Sequence, residues 1–374
     1  MAGTSAKRLK QEMPMPLLLT NDDIAPLLDP LAVINILDQT YSAFALGTGV
    51  TAPRLDLQAS KNNAGEAYQL GIAAGLSGRY GALRIKSDMT YRREVAGRPR
   101  KEKYCVEPGT YCGLILLFSL ENGELLAILH DGLIQKMRVG ADSALGARYL
   151  AREDAAVLGI LGAGGMARTH IDTITMIRPI EQVRIYSPTE ANREALAVYG
   201  RARGLDTKAV ESPEAAFDGA DIISACTNAV GPVIHGPHLA PGMHITSIGG
   251  TLDTHASARV DVALRLGNAT APTEMPDWRF EEECMSFVPD VGKSEAGGTR
   301  RFADVPLSRL IMLRELLNAP KRGRCTPEQI TFSERGNIHG VQFAGVAGLI
   351  YERALAQGLG TPMGSETFLQ NIRN

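Results

Sequence analysis

A chain of 374 residues is too long for one ordinary core at about 150 residues per domain, and it points to two domains, one of them split in sequence. Its 39 Lys and Arg against 41 Asp and Glu give a net charge of -2, without the basic excess that a nucleic-acid surface carries, so the expected partner is a small molecule. Five scattered cysteines with no C-x-x-C spacing argue against a zinc site or a disulfide frame and suit the reduced thiols of a cytoplasmic protein.

Residues 1–14 read as a disordered tail. The Leu17 to Leu19 run that follows is too short for a signal-peptide apolar region, and no apolar run approaches the ~18 residues of a membrane span. The first helix is expected at Asp29-Pro30, an N-cap followed by proline at the first helical position, with Leu31, Ile34, Leu37, Tyr41 and Phe44 at helical spacing and Gly47 ending it. Between about 50 and 130, short apolar runs separated by turn-formers predict a sheet, with a hairpin at Asn122-Gly123. From 138 to 151, Gly140, Ala141, Ala144, Gly146 and Ala147 predict a helix that another backbone can approach closely. Strands are expected at 155–161, 183–186, 207–210, 221–225 and 244–248 with helices or turns between, the pattern of a parallel doubly wound sheet. His235 and His238 fall in a turn rich in proline and glycine (233–241), which reads as a loop feature rather than a metal site. Further helices are expected from Leu307 to Leu317 and from about 340 onward.

The motif with the most chemical content is Gly162-Ala163-Gly164-Gly165-Met166-Ala167, which follows an all-apolar strand and opens a helix. Gly162 makes the tight turn, Gly164 lets the backbone approach a pyrophosphate, and Ala167 permits close packing of helix on strand, while the helix N-terminus offers free N–H groups to the phosphates. The second strand, Val183 to Tyr186, runs into Ser187-Pro188-Thr189, with Arg193 a turn later, where an NAD-preferring fold usually places an acid on the ribose. Hydroxyls and a cation suit a 2'-phosphate, so NADP (NADPH) is favoured over NAD; Glu190, one position beyond Thr189, is the argument for NAD. Three cations precede the motif and are candidates for a substrate carboxylate: Arg54, Lys86 at the end of an apolar strand, and Arg138 at the start of the small-residue helix. Lys86, desolvated among cations, is also a candidate proton donor.

From about residue 20 to 360 the chain resembles the ornithine cyclodeaminase and mu-crystallin family. The resemblance rests on Pro53-Arg54, the strand reaching Lys86, Leu126 to Arg152, the glycine motif, Ala220-Asp221-Ile222-Ile223 with Ala225-Cys226-Thr227-Asn228, Pro241-Gly242-Met243-His244 and Gly323-Arg324-Cys325-Thr326-Pro327-Glu328. It implies an α/β homodimer. A split α+β substrate and dimerisation domain (15–145 and 328–374) would surround a Rossmann dinucleotide-binding domain (146–327). It further implies that Arg54, Lys86 and Arg138 hold a substrate carboxylate beside the nicotinamide, and that Thr227, Asn228 and Gly249 join Gly162 to Met166, Ser187, Thr189 and Arg193 around the cofactor. No metal is implied. Where a cyclodeaminase would carry an acid after the glycine pair, this chain has Thr251, with Asp253 two residues on; His130 stands at a usual Asp position, before Asp131-Gly132. These departures favour an NAD(P)H-dependent reductase of an α-imino acid or cyclic ketimine, or the reverse amino-acid dehydrogenation. Ornithine cyclodeamination, and an NADPH-dependent binding protein of the crystallin type, are the alternatives.

Overall fold

The computed structural model describes residues 15–61, 66–95, 98–229, 231–268, 278–281, 284–287, 305–334, 336, 338–370 and 372, with 60–61, 92–95, 98–101, 278–281 and 284–287 described by backbone alone. The expected tail at 1–14 lies outside the described residues. Strand β1 (Leu17–Leu19), the short helix α1 (Asn21–Ile24) and helix α2 (Pro30–Ala45) open the fold. Asp29 caps α2 by accepting from the Ala32 backbone N–H at 2.7 Å, and Gly47 takes a φ of +84° just past its end.

A run of strands follows: β2 (Val50–Thr51), β3 (Arg54–Lys61), β4 (Glu66–Ser77), β5 (Tyr80–Val95), β6 (Arg98–Tyr104), β7 (Cys112–Ser119) and β8 (Leu125–His130). Antiparallel pairing joins β3, β4, β5, β7 and β8 in that order, and Gly123 makes the expected β7–β8 turn at φ +79°. Because strand side chains alternate, the sheet has two distinct faces. The inner one, with Ala73, Ala82, Ile115, Leu117 and Ala127, is buried beneath helices. The outer one carries Leu55, Leu57, Leu70, Ile72, Leu83, Ile85, Leu114 and Leu116, all only half-buried.

Helix α3 (Gly132–Leu150) leads into the second layer. There β9 (Val157–Leu161), α4 (Gly165–Ile174), β10 (Gln182–Tyr186), α5 (Glu190–Arg201), β11 (Asp206–Ala209), α6 (Pro213–Phe217) and β12 (Ile222–Cys226) alternate. They continue into β13 (Pro232–Ile234), β14 (His244–Gly249), β15 (Thr251–Leu252), α7 (Thr254–Arg259) and β16 (Val262–Arg265). The chain closes with β17 (Trp278–Glu281), β18 (Cys284–Phe287), β19 (Leu310–Met312), α8 (Leu313–Asn318), β20 (Thr331–Glu334), α9 (His339–Gln357) and β21 (Thr361–Pro362). The second sheet is parallel throughout, in the order β11-β10-β9-β12-β14-β20-β16-β19. This is the expected Rossmann-type α/β architecture beside an α+β unit.

Several expectations shift. The helix read at Leu307 to Leu317 is a 3-10 turn at Leu307–Arg309 and an α-helix only from Leu313, because Leu310–Met312 adds instead as an edge strand to β16 and buries Ile311. Strand β18 pairs with β3 in the first sheet and β17 pairs with β18 beyond it, although both fall inside the segment 146–327, and β20 belongs to the second sheet although it follows residue 328. Long-range pairings of this kind leave no local periodicity to read. Helix α3 crosses the expected boundary at 145/146 and packs on both units. A Cβ on Gly140 would come 2.6 Å from the Thr169 carbonyl oxygen of α4, which is why that position admits no side chain.

Candidate active site

The carboxyl ends of β9, β10, β12 and β14 open onto a cleft of about 1060 Å³. Strand order reverses around β9, and such a switch point is where doubly wound sheets take a dinucleotide. Gly162 holds φ +102°, and a Cβ there would meet the Cys226 carbonyl oxygen at 2.7 Å, so glycine is required on both counts. Gly164 caps α4 and has nothing within 4 Å of where its Cβ would stand, leaving bare backbone toward the cleft. Ala163, Gly165 and Met166 complete that edge, while Ser187, Thr189 and Asn192 from the β10 end and Thr227 and Asn228 from the β12 end form the other walls. The nearest atom to a Cβ built on Gly165 is Lys136 Cε at 3.9 Å, so a lysine stem from α3 crosses the N-terminus of α4. That is an unfavourable place for a cation unless an anion shares it.

Two cofactor candidates fall outside the cleft wall. Arg193 turns back and donates from Nη1 to the Ser187 carbonyl at 3.2 Å, bracing the loop, and Asn192 takes the place beside the cleft. Gly249 packs against the Thr227 carbonyl, where a Cβ would stand 1.9 Å away, so its role is a close backbone approach.

The three candidate cations lie on the inner face of the first sheet and on α3. Lys86 is mid-strand, since β5 continues to Val95, and its neighbours across the ladder are Gly71 on β4 and Gly113 on β7. Two glycines leave a trough beside it, and carboxylates fill it. Over Gly71 lies the Asp56 carboxylate, which takes Arg54 Nε at 3.2 Å and Nη2 at 2.9 Å. Over Gly113 lies the Asp131 carboxylate, which accepts from Arg84 Nε at 2.6 Å and from the Tyr111 hydroxyl at 2.9 Å. Arg54 and Lys86 are thus brought together, each with a carboxylate of its own: Lys86 Nζ is 2.5 Å from Asp88 Oδ2, and both side chains are buried. That pairing compensates the Lys86 charge. Lys103, across the ladder from Thr90, has an altered proton affinity: crowding around its ammonium, and then the Lys86 charge, push it down to about 8. Its Nζ stands 5.0 Å over the Tyr111 ring.

Arg138 is 2% exposed, so its partners decide where it points. It donates from Nη2 to Gln135 Oε1 at 2.8 Å and from Nη1 to Gln342 Oε1, and its guanidinium lies 5.1 Å over the Phe343 ring. The same ring carries Arg84 at 5.3 Å, which links Arg138 to the trough. Gln135 and Val139 line the nucleotide cleft, so Arg138 stands between cleft and trough. Sequence reasoning missed Arg84, Lys103, Tyr111, Gln135 and Gln342. Strand alternation from Lys86 would have found Arg84, and helical spacing from Arg138 would have found Gln135; the others come from distant segments.

The remaining candidates are structural. His130 Nδ1 accepts from the Asn21 backbone N–H at 3.2 Å. Asp253 caps α7 and accepts from Ala256 and Gly236 backbone N–H and pairs with His235 at 3.0 Å. Partial burial opposes its ionisation, but these partners hold its carboxyl below the usual range. Cys226 borders the cleft, yet burial pushes its thiol up to about 12, so it is no nucleophile. Among the described residues no group of three His, Cys, Asp or Glu could hold a metal ion, and no helix is long and apolar enough to cross a membrane.

Fold and site together define a class, the NAD(P)-dependent oxidoreductases built on a Rossmann-type sheet. Within it the chain is more particular. It matches the model of the ornithine cyclodeaminase/mu-crystallin family over residues 86–358, and it belongs to that family. A Delta(1)-pyrroline-2-carboxylate reductase of Bacillus cereus is 30% identical over 258 residues, covering 67% of this chain and 74% of that protein. Among solved structures, the Thermococcus litoralis Delta(1)-pyrroline-2-carboxylate reductase in complex with NADH and L-proline superposes with a TM-score of 0.68 at 24% identity, over 93% of this chain and 100% of the other. An archaeal alanine dehydrogenase dimer with bound NAD gives 0.71 at 20% identity, over 93% and 98%. The structural likenesses establish the fold.

Proposed function

We propose that this protein is an NADPH-using reductase of an α-imino acid or cyclic ketimine, with the reverse amino-acid dehydrogenation open to it. The observation that carries the reading is the Lys86 trough: a cluster in which Arg54, Arg84 and Lys103 gather around Lys86, with Arg138 between it and a dinucleotide cleft. Its substrate is a small amino, imino or keto acid whose carboxylate Arg54, Lys86 and Arg138 hold, so that the carbon of its C=N bond faces the cleft. The cofactor supplies the hydride. Fixing the reacting carbon at about 3 to 3.5 Å from the donor is the main contribution the chain makes to such a transfer. Lys103, pushed down to about 8, is able to release a proton near neutral pH. Ser187, Thr189 and Asn192 line the cleft and Glu190, next to Thr189, is not among its lining residues, which supports NADPH over NADH.

Cyclodeamination, the second reading, needs an acid beyond the glycine pair. Thr251 stands there, and Asp253 is committed to its cap and to His235. The half-buried apolar outer face of the first sheet supports a homodimer, and the free thiols of Cys105, Cys112, Cys226 and Cys325 suit the cytoplasm. The test is a 340 nm screen of cyclic imines, and of keto acids with amines, using NADPH and NADH separately, with ornithine as a control. Stoichiometric NADPH oxidation by an imino acid is the expected result. Ammonia and proline from ornithine with no net cofactor change would establish the second reading, and no turnover with any substrate would leave a binding protein.

A further inference from the structure

We infer that Gln135 couples the two sites, its Oε1 holding Arg138 while its Nε2 donates to the bound cofactor, so that each ligand strengthens the binding of the other. The inference rests on the reductase reading above. Gln135 and Arg138 are three residues apart on α3 and therefore share a face of the helix. The Gln135 Oε1 accepts from Arg138 Nη2 at 2.8 Å, and the same side chain lines the nucleotide cleft. A carboxamide has one acceptor and two donor hydrogens; with Oε1 on Arg138, Nε2 is the group left for an oxygen of the dinucleotide.

The opposite side of Arg138 is anchored in the core. Gln342, from α9, accepts from Arg138 Nη1 and donates from Nε2 to the Tyr41 hydroxyl, and Tyr41 in turn donates to Asp142 Oδ1 at 2.5 Å. Tyr41 and Gln342 are fully buried and Asp142 is 2% exposed, so these partners are set by packing. Gln135 is half-buried and borders the cleft, which makes it the Arg138 contact that a cofactor can reach. A seated cofactor would order Gln135, and an ordered Gln135 would hold the guanidinium in the plane needed for a bidentate carboxylate. The ordering cost then falls on whichever ligand binds first, and the second binds more tightly, by the same factor in either order.

The test is a binding cycle on the full chain. NADPH is titrated by its fluorescence with and without pyrrole-2-carboxylate, a flat carboxylate that accepts no hydride, and pyrrole-2-carboxylate is titrated by calorimetry with and without NADPH. In the unsubstituted protein each ligand is expected to tighten the other about tenfold. Gln135→Met keeps the shape and loses both polar atoms; Gln135→Glu keeps an acceptor for Arg138 and loses the donor. In both variants the factor should fall below about twofold, with the melting temperature of Gln135→Glu covering the case in which Gln135→Met folds poorly. A tenfold factor surviving in either folded variant, or no coupling in the unsubstituted protein, would overturn the inference. Absence of any NADPH or NADH binding to the unsubstituted protein would instead overturn the reductase reading.

Discussion

Lys86 and Lys103 stand on the same inner face of the first sheet, yet their surroundings give them different work. Lys86 has Asp88 at 2.5 Å and glycines on both flanking strands, whose space the Asp56 and Asp131 carboxylates take, so it is a compensated cation amid other ion pairs. Removing it leaves Asp88 buried without that cation, and a substrate carboxylate would then meet a net negative floor. Lys86→Met should therefore lower kcat/KM for an imino acid at least about a hundredfold, the scale of a lost buried charge contact, while NADPH binding followed by fluorescence stays within about twofold. Full activity in this variant would remove the trough from the mechanism. Lys103 responds to pH instead. Its ammonium, pushed down to about 8, is charged below that pH and neutral above it, so carboxylate capture and proton release both decline as pH rises through 8. A plot of log kcat/KM against pH should bend downward near 8 in the unsubstituted protein. The bend should move to higher pH or vanish in Lys103→Arg, whose charge persists.

Helix α3 does for the elements what Arg138 does for the residues, since it packs against α4 and β14 of the parallel unit and against α2 and α9 of the other. Its small-residue face makes this possible: a Cβ at Gly140 would come 2.6 Å from a backbone oxygen of α4, and one at Gly146 would come 2.2 Å from Ser333 Oγ. Gly140→Ala must push α3 away from α4, two residues from Arg138. A cost of about 1–3 kcal/mol is expected, read as a lower urea midpoint, together with a raised KM for the imino acid. The glycine and alanine run in this helix, the capping of α2 by Asp29 and the glycine turn after β9 were legible in the sequence because each depends on neighbours within a few residues. The trough was only half legible. Arg54, Lys86 and Arg138 stood out as cations, but Gly71 and Gly113, which hollow the sheet, and Asp56 and Asp131, which take that space, act through register across strands. Arg84 shows why: its side chain lies on the polar inner face only because β5 alternates as Arg84, Lys86, Asp88 inward and Leu83, Ile85, Ser87 outward, the reverse of what an apolar run beside a charged end suggests. The edge strand Leu310–Met312 escaped for the same reason, since a helical spacing there was overruled by the open edge of β16.

Two properties belong to the whole molecule. His244 is fully buried where β14 meets β20, bonded to the Thr331 hydroxyl at 2.9 Å, and burial, then the charges of Arg324 and Arg178, push it down to about 3. The unfolded chain binds a proton there below about 6.5 and the folded chain does not, so this site contributes stability at neutral pH that is lost as pH falls from about 6.5 toward 3. Between pH 7 and 5 the loss is about 2 kcal/mol, which His244→Asn should abolish in urea titrations at the two pH values. The other is the apolar outer face of the first sheet, on which the proposed homodimer would form. Leu55 and Leu57 on β3, Leu70 and Ile72 on β4, Leu83 and Ile85 on β5, and Leu114 and Leu116 on β7 form one apolar surface on the sheet face opposite the helices. Four adjacent strands with paired apolar residues make a patch broader than a monomer usually leaves in water. A second copy related by a two-fold axis would cover it with an identical patch. The trough lies on the opposite face of the same strands, so flattening or twisting this sheet moves Lys86 relative to Arg54 and Arg138. Ile72→Asp places a charge at the centre of the patch and should convert a dimer to a monomer in light scattering. Because Ile72 neighbours Gly71 on β4, the monomer should also bind pyrrole-2-carboxylate more weakly while its NADPH affinity, set in the parallel unit, is unchanged. A monomeric unsubstituted protein would overturn the homodimer, and an Ile72→Asp protein that remains dimeric would assign the association to another surface.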